Sequence, residues 1–212
     1  MPRTLIFANG ILPDAGAARA LMDLDDVLIA ADGGARHILS LGLTPSAIVG
    51  DLDSLTPADR LKMEAAGVRL LQHPQDKNET DLELAIQYAL ASGADALVVI
   101  GALGSRLDQT LGNISLLSDP ALAGVDIRLD DGIEEAFFCR SSVTVRGRSG
   151  EIVSLLPWGG DVEGVRTEGL KWPLRDETLS PHKTRGISNR MLGDLAEVQI
   201  SSGLLLLVHR RR

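Results

Sequence analysis

Two aspartates separated by one residue follow a short apolar run in IVGDLDSL, residues 48–55. Asp-x-Asp pairs often form turns in which the carboxylates accept hydrogen bonds from nearby backbone amides. The same carboxylates can bind a hard cation, because magnesium prefers oxygen ligands and is commonly shared with substrate phosphates. The octapeptide alone leaves both interpretations open for Asp51 and Asp53.

Similar polar clusters follow other apolar runs, in ADGG (31–34), HPQDKNETD (73–81) and GALGSRLDQ (101–109). If the apolar runs are parallel strands, all of these clusters lie at one edge of the sheet, where ligands bind in such folds. The charged residues brought to that edge are Asp32, Asp51, Asp53, Asp76, Lys77, Asp81, Arg106 and Asp108. Turn preference alone does not explain this convergence, so we expect one carboxylate-rich site.

Local alternatives exist for two of these clusters. Asn78 followed three residues later by Asp81 resembles a helix capping arrangement, which needs no function. Arg106 can bind phosphate through its planar guanidinium group or simply pair with Asp108. The glycine-rich turn around Gly104 lacks the Gly-Lys-Ser/Thr ending of a P-loop, and it is weak evidence by itself.

The elements that would position these residues alternate between strands and helices up to about residue 120. We predict strands at 4–8, 26–31, 47–50, 68–72 and 96–102, and helices at 13–22, 34–41, 57–66, 79–92 and 107–118. Thr56-Pro57 is a typical helix start, with proline at the first helical position. Apolar strands alternating with helices predict a parallel sheet covered on both faces, a three-layer α/β domain.

The pattern changes after about residue 125, where short apolar runs are separated by Gly, Ser, Pro and Asp. Regular short strands with turn signals predict a small all-β sandwich, and we include DIRLD (126–130) in it. The expected domains are therefore an α/β domain over residues 1–122 and a β-sandwich over residues 123–212. Trp172, one of two tryptophans, is either a packing residue or a ring that stacks on a planar cation.

Composition excludes several classes of protein. Hydrophobic residues make up 44% of the 212 residues, which is ample for a core, and the net charge of −8 argues against nucleic-acid binding. The single cysteine, Cys139, excludes an intrachain disulfide and fits a reducing compartment, so we expect a cytoplasmic protein. We find no secretory signal and no apolar run near the roughly 20 residues that cross a bilayer.

Six segments in order resemble thiamine pyrophosphokinases. They are ADGGARHIL, GDLDSL, QDKNETDLELAI, GALGSRLDQTLGNISLL, GLKWPL and GISN, spanning residues 31–189. The resemblance implies an α/β catalytic domain and a thiamine-binding β-sandwich, assembled as a homodimer. It also implies that the diphosphoryl group of ATP is transferred to the hydroxyl of thiamine, with Mg²⁺ as cofactor, giving thiamine diphosphate and AMP.

The resemblance also implies roles for individual residues. The metal ligands would be Asp51, Asp53, Asp76 and Asp81, of which Asp51, Asp53 and Asp81 also act in catalysis. Nucleotide binding would involve Asp32, Gly33, Lys77, Thr80, Gly104, Arg106 and Asp108. Trp172 would stack on thiamine, with Ser188 and Asn189 lining that pocket from the partner subunit.

Two positions depart from the family pattern. The family often has histidine where this chain has Gln109, and an acidic residue where it has Asn78. Two alternatives to the thiamine reaction remain at this point. One is diphosphoryl transfer to another alcohol, such as a hydroxymethylpterin, and the other is a thiamine or nucleotide sensor without turnover.

Overall fold

The chain divides into two compact units, residues 1–132 and 133–212. The computed structural model describes residues 3–104 and 106–211. The division falls at residue 132 rather than 122, because β6 (Asp126–Asp130) pairs in parallel with β5 (Ala96–Ile100) of the first unit. Our assignment of DIRLD to the all-β half was therefore wrong.

The first unit is a parallel sheet with strand order β6-β5-β1-β2-β3-β4. Its remaining strands are β1 (Thr4–Phe7), β2 (Val27–Ala31), β3 (Ala47–Gly50) and β4 (Arg69–Gln72). Its helices are α1 (Ala15–Ala20), α2 (Ala35–Ser40), α3 (Pro57–Ala65), α4 (Asp81–Ala91) and α5 (Leu107–Leu116). Strands β1 and β3 are buried along their whole length, as expected for strands covered on both faces. The predicted α/β domain is confirmed.

Two threonine side chains cap the N-termini of α3 and α4. Thr56 caps α3 by accepting a hydrogen bond from the backbone N–H of Asp59 at 3.1 Å, with proline following it as predicted. Thr80 caps α4 by accepting from the backbone N–H of Glu83 at 3.2 Å. The Asn78–Asp81 capping alternative is therefore wrong, since the cap lies two residues later and Asp81 is the first helical residue.

The second unit is an antiparallel β-sandwich, as predicted. Its strands are β7 (Glu134–Cys139), β8 (Ser142–Arg146), β9 (Ile152–Pro157), β10 (Val162–Glu168), β11 (Arg175–Leu179), β12 (Asn189–Arg190), β13 (Leu195–Gln199) and β14 (Leu205–Arg210). Strands β12-β9-β14-β7 pair in that order, and β11-β10-β13-β8 form a four-stranded sheet. Alternate side chains from both sets, such as Leu155, Leu207, Val165 and Val198, form one apolar core.

A buried charged group lies on the inner face of this sandwich. The ring of His209 is fully buried, with Nδ1 2.9 Å from Glu135 Oε1 and Nε2 2.9 Å from Glu151 Oε2. Burial lowers the pKa of His209, but the hydrogen bonds to both carboxylates outweigh it and raise the pKa above 6.5. Arg211, 3.4 Å from Glu135, opposes that rise. The two carboxylates therefore favour the protonated form of this histidine.

Among the residues that the structure describes, no helix combines the length and the apolar character needed to cross a membrane.

Candidate active site

A cleft of about 520 Å³ lies at the carboxyl edge of the parallel sheet. Strand β1 lies between β2 and β5, so the strand order reverses there, and such a point opens a crevice beyond the strand ends. The lining residues follow from this geometry: they include Asn9 and Gly10 after β1, Asp32 after β2, Asp51 after β3, and Gly101 and Ala102 after β5. The structure therefore places these polar clusters at one edge of the sheet, as predicted.

Three carboxylates meet at this edge. Oxygen atoms of Asp32, Asp51 and Asp53 lie within 4.8 Å of one another. Ser54 Oγ donates a hydrogen bond to Asp32 at 3.0 Å, and Gln75 Nε2 donates one to Asp53 at 3.1 Å. These are hard oxygen ligands at a spacing suited to one divalent cation, such as magnesium.

The charges of this group act on each other. The pKa of Asp53 is raised above its usual range, first by the negative charge of Asp51, then by desolvation and the charge of Asp32. A cation bound between the carboxylates would relieve that repulsion. The chemistry of the donor set therefore fits a magnesium ion at this point.

Asp81 lies against the same group, across the end of β3. A Cβ added at Gly50 would lie 3.1 Å from Asp81 Cγ and 2.8 Å from Asp32 Cβ, so only glycine fits there. Lys77 Nζ lies 2.8 Å from Asp81 Oδ1, and the lysine side chain is only 12% exposed. A cation thus already neutralises part of the acidic edge.

Asp76, predicted as a metal ligand, is exposed, and within the described part of the chain it does not join the carboxylate group. Asp32, predicted as a nucleotide ligand, takes that place in the group. Asp32 is 7% exposed and has a φ of 40°, so its backbone is held in an uncommon conformation at the site.

Most of the predicted nucleotide-binding residues line the same cleft. Lys77, Thr80, Gly104 and Arg106 line it, whereas Asp108 lines an adjoining cavity along α5. Arg106 Nε donates to Asp108 Oδ1 at 3.1 Å, and this pairing lowers the pKa of Asp108 below its usual range. Both side chains are about two-thirds exposed, so the pair can open at little cost when an anion arrives.

Sequence reasoning missed several supporting residues. Asn9 lines the cleft and accepts a hydrogen bond from Arg36. A Cβ added at Gly33 would lie 2.5 Å from Asn9 Cγ. His37 Nε2 donates to the carbonyl of Gly10 at 2.8 Å. No local signal marks Asn9, because its role depends on partners more than twenty residues away.

In the second unit, Trp172 borders a separate cavity of about 250 Å³. Trp172 is 46% exposed, and Lys171 Nζ lies 4.9 Å from the centroid of its ring, within the range of a cation–π contact. The other lining residues are Leu174, Thr184, Arg185, Gly186, Ile187 and Asn189.

Asn189 fixes the backbone of Trp172. Its Oδ1 accepts from the Trp172 N–H at 3.0 Å, and its Nδ2 donates to the Trp172 carbonyl at 2.7 Å. Ser188 has a φ of 58° and donates its N–H to Ser154 Oγ at 3.0 Å. The structure therefore brings Trp172 and Asn189 together across 17 residues of chain, with Ser188 between two lining residues.

Comparison with known proteins finds the same pair of domains. The family model described as thiamin pyrophosphokinase, catalytic domain, matches residues 18–129, and that for the thiamin pyrophosphokinase vitamin B1 binding domain matches residues 141–205. The chain is 29% identical over 182 residues to the thiamine pyrophosphokinase of Bacillus subtilis (strain 168), covering 85% of each chain.

Two solved structures are similar over almost the whole chain. The crystal structure of the Bacillus subtilis thiamine pyrophosphokinase has a TM-score of 0.87 at 25% identity, covering 99% of each chain. That of a thiamin pyrophosphokinase family protein from Enterococcus faecalis has a TM-score of 0.83 at 27% identity, again covering 99% of each chain.

Proposed function

The chain belongs to the thiamin pyrophosphokinase family, and from that premise we propose that it is a thiamine diphosphokinase. This transferase moves the diphosphoryl group of ATP to the hydroxyl of thiamine, giving thiamine diphosphate and AMP. The observation that carries the proposal is that two family models, one catalytic and one for vitamin B1 binding, match the two structural units in order.

Mg²⁺ is the proposed cofactor, held by Asp51 and Asp53 with Asp81 beside them. The group of Asp32, Asp51 and Asp53 within 4.8 Å supports this role, and it favours Asp32 over the exposed Asp76 as the next carboxylate. When bound, the ion neutralises charge on the transferring phosphates and on the leaving oxygen.

The side chains around the cleft then position the reactants. Lys77 and Arg106 bind ATP phosphates, and Asp81 orients the thiamine hydroxyl and accepts its proton. A bond forms between that oxygen and the β-phosphorus of ATP, while the bond from the β-phosphorus to the α-phosphate oxygen breaks and AMP leaves. Such transfers depend on in-line positioning and charge stabilisation more than on covalent help from the protein.

Trp172 is the proposed platform for thiamine. The ring face is half-exposed and borders the cavity of about 250 Å³, and Asn189 holds its backbone. A planar cation gains both stacking and cation–π attraction on such a face. This pocket favours thiamine over a hydroxymethylpterin, which carries no fixed positive charge.

A homodimer is the proposed assembly, with the partner subunit contributing to the thiamine site. Helix α5 supports an interface, because none of its side chains is buried and Leu107 and Leu111 are 73% and 49% exposed on successive turns. Sedimentation velocity should give a dimer, and Leu111→Glu should shift it to monomer.

We also expect the protein to be cytoplasmic, which its single cysteine favours.

AMP formation from ATP and Mg²⁺ tests the acceptor. We expect AMP with thiamine, and little AMP with a hydroxymethylpterin or without an acceptor. AMP with the pterin alone would favour the other diphosphokinase, and thiamine binding without AMP would favour a sensor. Trp172→Ala should raise the KM for thiamine much more than that for ATP, which separates the pocket's role from that of the cleft.

A further inference from the structure

Leu52, the residue between the two central aspartates, has an unusual backbone conformation. Its φ is 62°, and in residues 3–104 and 106–211 the other non-glycine residues with positive φ are Asp32, Asp176 and Ser188. Those three have polar side chains that can hydrogen-bond locally, whereas a leucine gains nothing from this conformation and its Cβ crowds the backbone. The surrounding structure must therefore hold it.

The leucine side chain provides that hold. It is 5% exposed and belongs to the same apolar cluster as Ile48 and Met63. Its carbonyl accepts a hydrogen bond from the backbone N–H of Leu55 at 3.3 Å. Leu52 is thus a core residue on a loop whose neighbours are partly or fully exposed acids.

The left-handed turn at Leu52 accounts for the closeness of its neighbours. In an extended chain the Cα atoms of residues 51 and 53 would lie more than about 6 Å apart on one face, and the N–H of residue 53 would not reach the side chain of residue 51. In a right-handed helix the two side chains would point to nearly opposite sides. Here the N–H of Asp53 donates to Asp51 Oδ1 at 3.1 Å, and oxygens of the two carboxylates lie within 4.8 Å. The turn folds Asp53 back towards Asp51.

We propose that Leu52 is a positioning residue for the metal site: its buried side chain locks a left-handed backbone that aims Asp51 and Asp53 at one cation. This inference rests on the metal site of the proposed function. The tight packing at Gly50 strengthens it, because the chain before the turn has no room to move past Asp32 and Asp81.

Three substitutions separate the two parts of this role. Leu52→Met keeps an unbranched Cβ and a similar volume, so both the conformation and the packing persist. Leu52→Ile keeps the size and the apolar character, but a β-branched residue strongly resists positive φ. Leu52→Gly adopts positive φ freely but leaves the loop without its buried side chain.

Mn²⁺ binding to the full-length protein without nucleotide tests the proposal, with unbound Mn²⁺ followed by electron paramagnetic resonance. We expect Leu52→Met to bind within about twofold of the original chain and Leu52→Ile at least about tenfold more weakly, since the ligands are misaimed. The Mg²⁺ concentration needed for half-maximal turnover should rise with Leu52→Ile while the KM for thiamine stays the same. A defect that merely lowers the folded fraction would weaken the apparent binding of thiamine and of the metal alike.

Equal Mn²⁺ binding by Leu52→Ile and the original chain would overturn the proposal while leaving the metal site intact. If Leu52→Ile does not fold, Leu52→Gly decides: weaker Mn²⁺ binding than Leu52→Met supports the proposal, and equal binding overturns it. Absence of Mn²⁺ binding by the original chain would instead refute the metal site itself, and the role of Leu52 with it.

Discussion

Removing the side chain of Asn189 should loosen Trp172 and weaken thiamine binding. Asn189 is 3% exposed and makes three hydrogen bonds: two with the backbone of Trp172, and one accepted from the N–H of Arg190 at 2.9 Å. Asn189→Ala deletes all three and leaves the N–H and carbonyl of Trp172 without these partners.

The magnitude follows from the number of bonds. A hydrogen bond between neutral groups contributes about 1 kcal/mol net, so the free energy of unfolding should fall by about 2–3 kcal/mol. Both bonds to Trp172 are only partly buried, so water can replace the lost partner and the loss stays at this level. Ser154→Ala is the matched control, since it removes only one bond, from the N–H of Ser188, and should cost about 1 kcal/mol.

Urea unfolding followed by tryptophan fluorescence is the appropriate assay. Both tryptophans, Trp158 and Trp172, lie in the second unit, so the signal reports the unit that contains Asn189. In the absence of urea, the Kd for thiamine should rise at least about tenfold for Asn189→Ala, because a freely turning ring loses most of its stacking energy. An Asn189→Ala stability no lower than that of Ser154→Ala, with unchanged thiamine affinity, would refute this reasoning.

Three further predictions concern charge. Asp53→Asn should fold normally but reduce kcat by at least about a hundredfold, since the metal loses a ligand; unaltered turnover would remove Asp53 from the metal site. Lys77→Met should strengthen Mn²⁺ binding in the absence of nucleotide by roughly tenfold, because it removes a cation 2.8 Å from Asp81. The same substitution should raise the KM for ATP. Unchanged Mn²⁺ affinity would contradict this prediction. The pKa of His209 is raised in the folded state, so its stabilising charge is fully present below pH 6.5 and is lost as pH rises through the higher folded pKa. Urea midpoints should therefore fall above pH 6.5 in the original chain and stay flatter with His209→Gln; parallel curves would exclude this histidine.

Much of the fold was predictable because its signals are local. Apolar runs gave the first five strands, and Thr56-Pro57 marked the start of α3. DIRLD was read correctly as a strand, but its partner was not, because alternating residues do not reveal which neighbour a strand pairs with. Strand β11, RDETL, has no local strand signal, since it contains one apolar residue and three charged ones.

The position of the site at the sheet edge was predictable from the sequence, but the contacts of its individual residues were not. The parallel direction of the strands predicts the acidic residues at one edge, yet the choice of Asp32 over Asp76 depends on side-chain distances of a few ångströms. Nothing in leucine's own preferences predicts a positive φ at Leu52, which the core imposes. The bonds from Asn189 to Trp172 join residues 17 positions apart, which no local pattern contains.

Isotope-labelled ATP tests the central claim most directly. The protein is incubated with thiamine, Mg²⁺ and ATP carrying ³²P either at the α or at the γ position. We predict that the γ label appears in thiamine diphosphate and the α label in AMP, in equal amounts and only when thiamine is present. A γ label found in thiamine monophosphate with formation of ADP, or AMP formed without thiamine, would contradict diphosphoryl transfer to thiamine at this site.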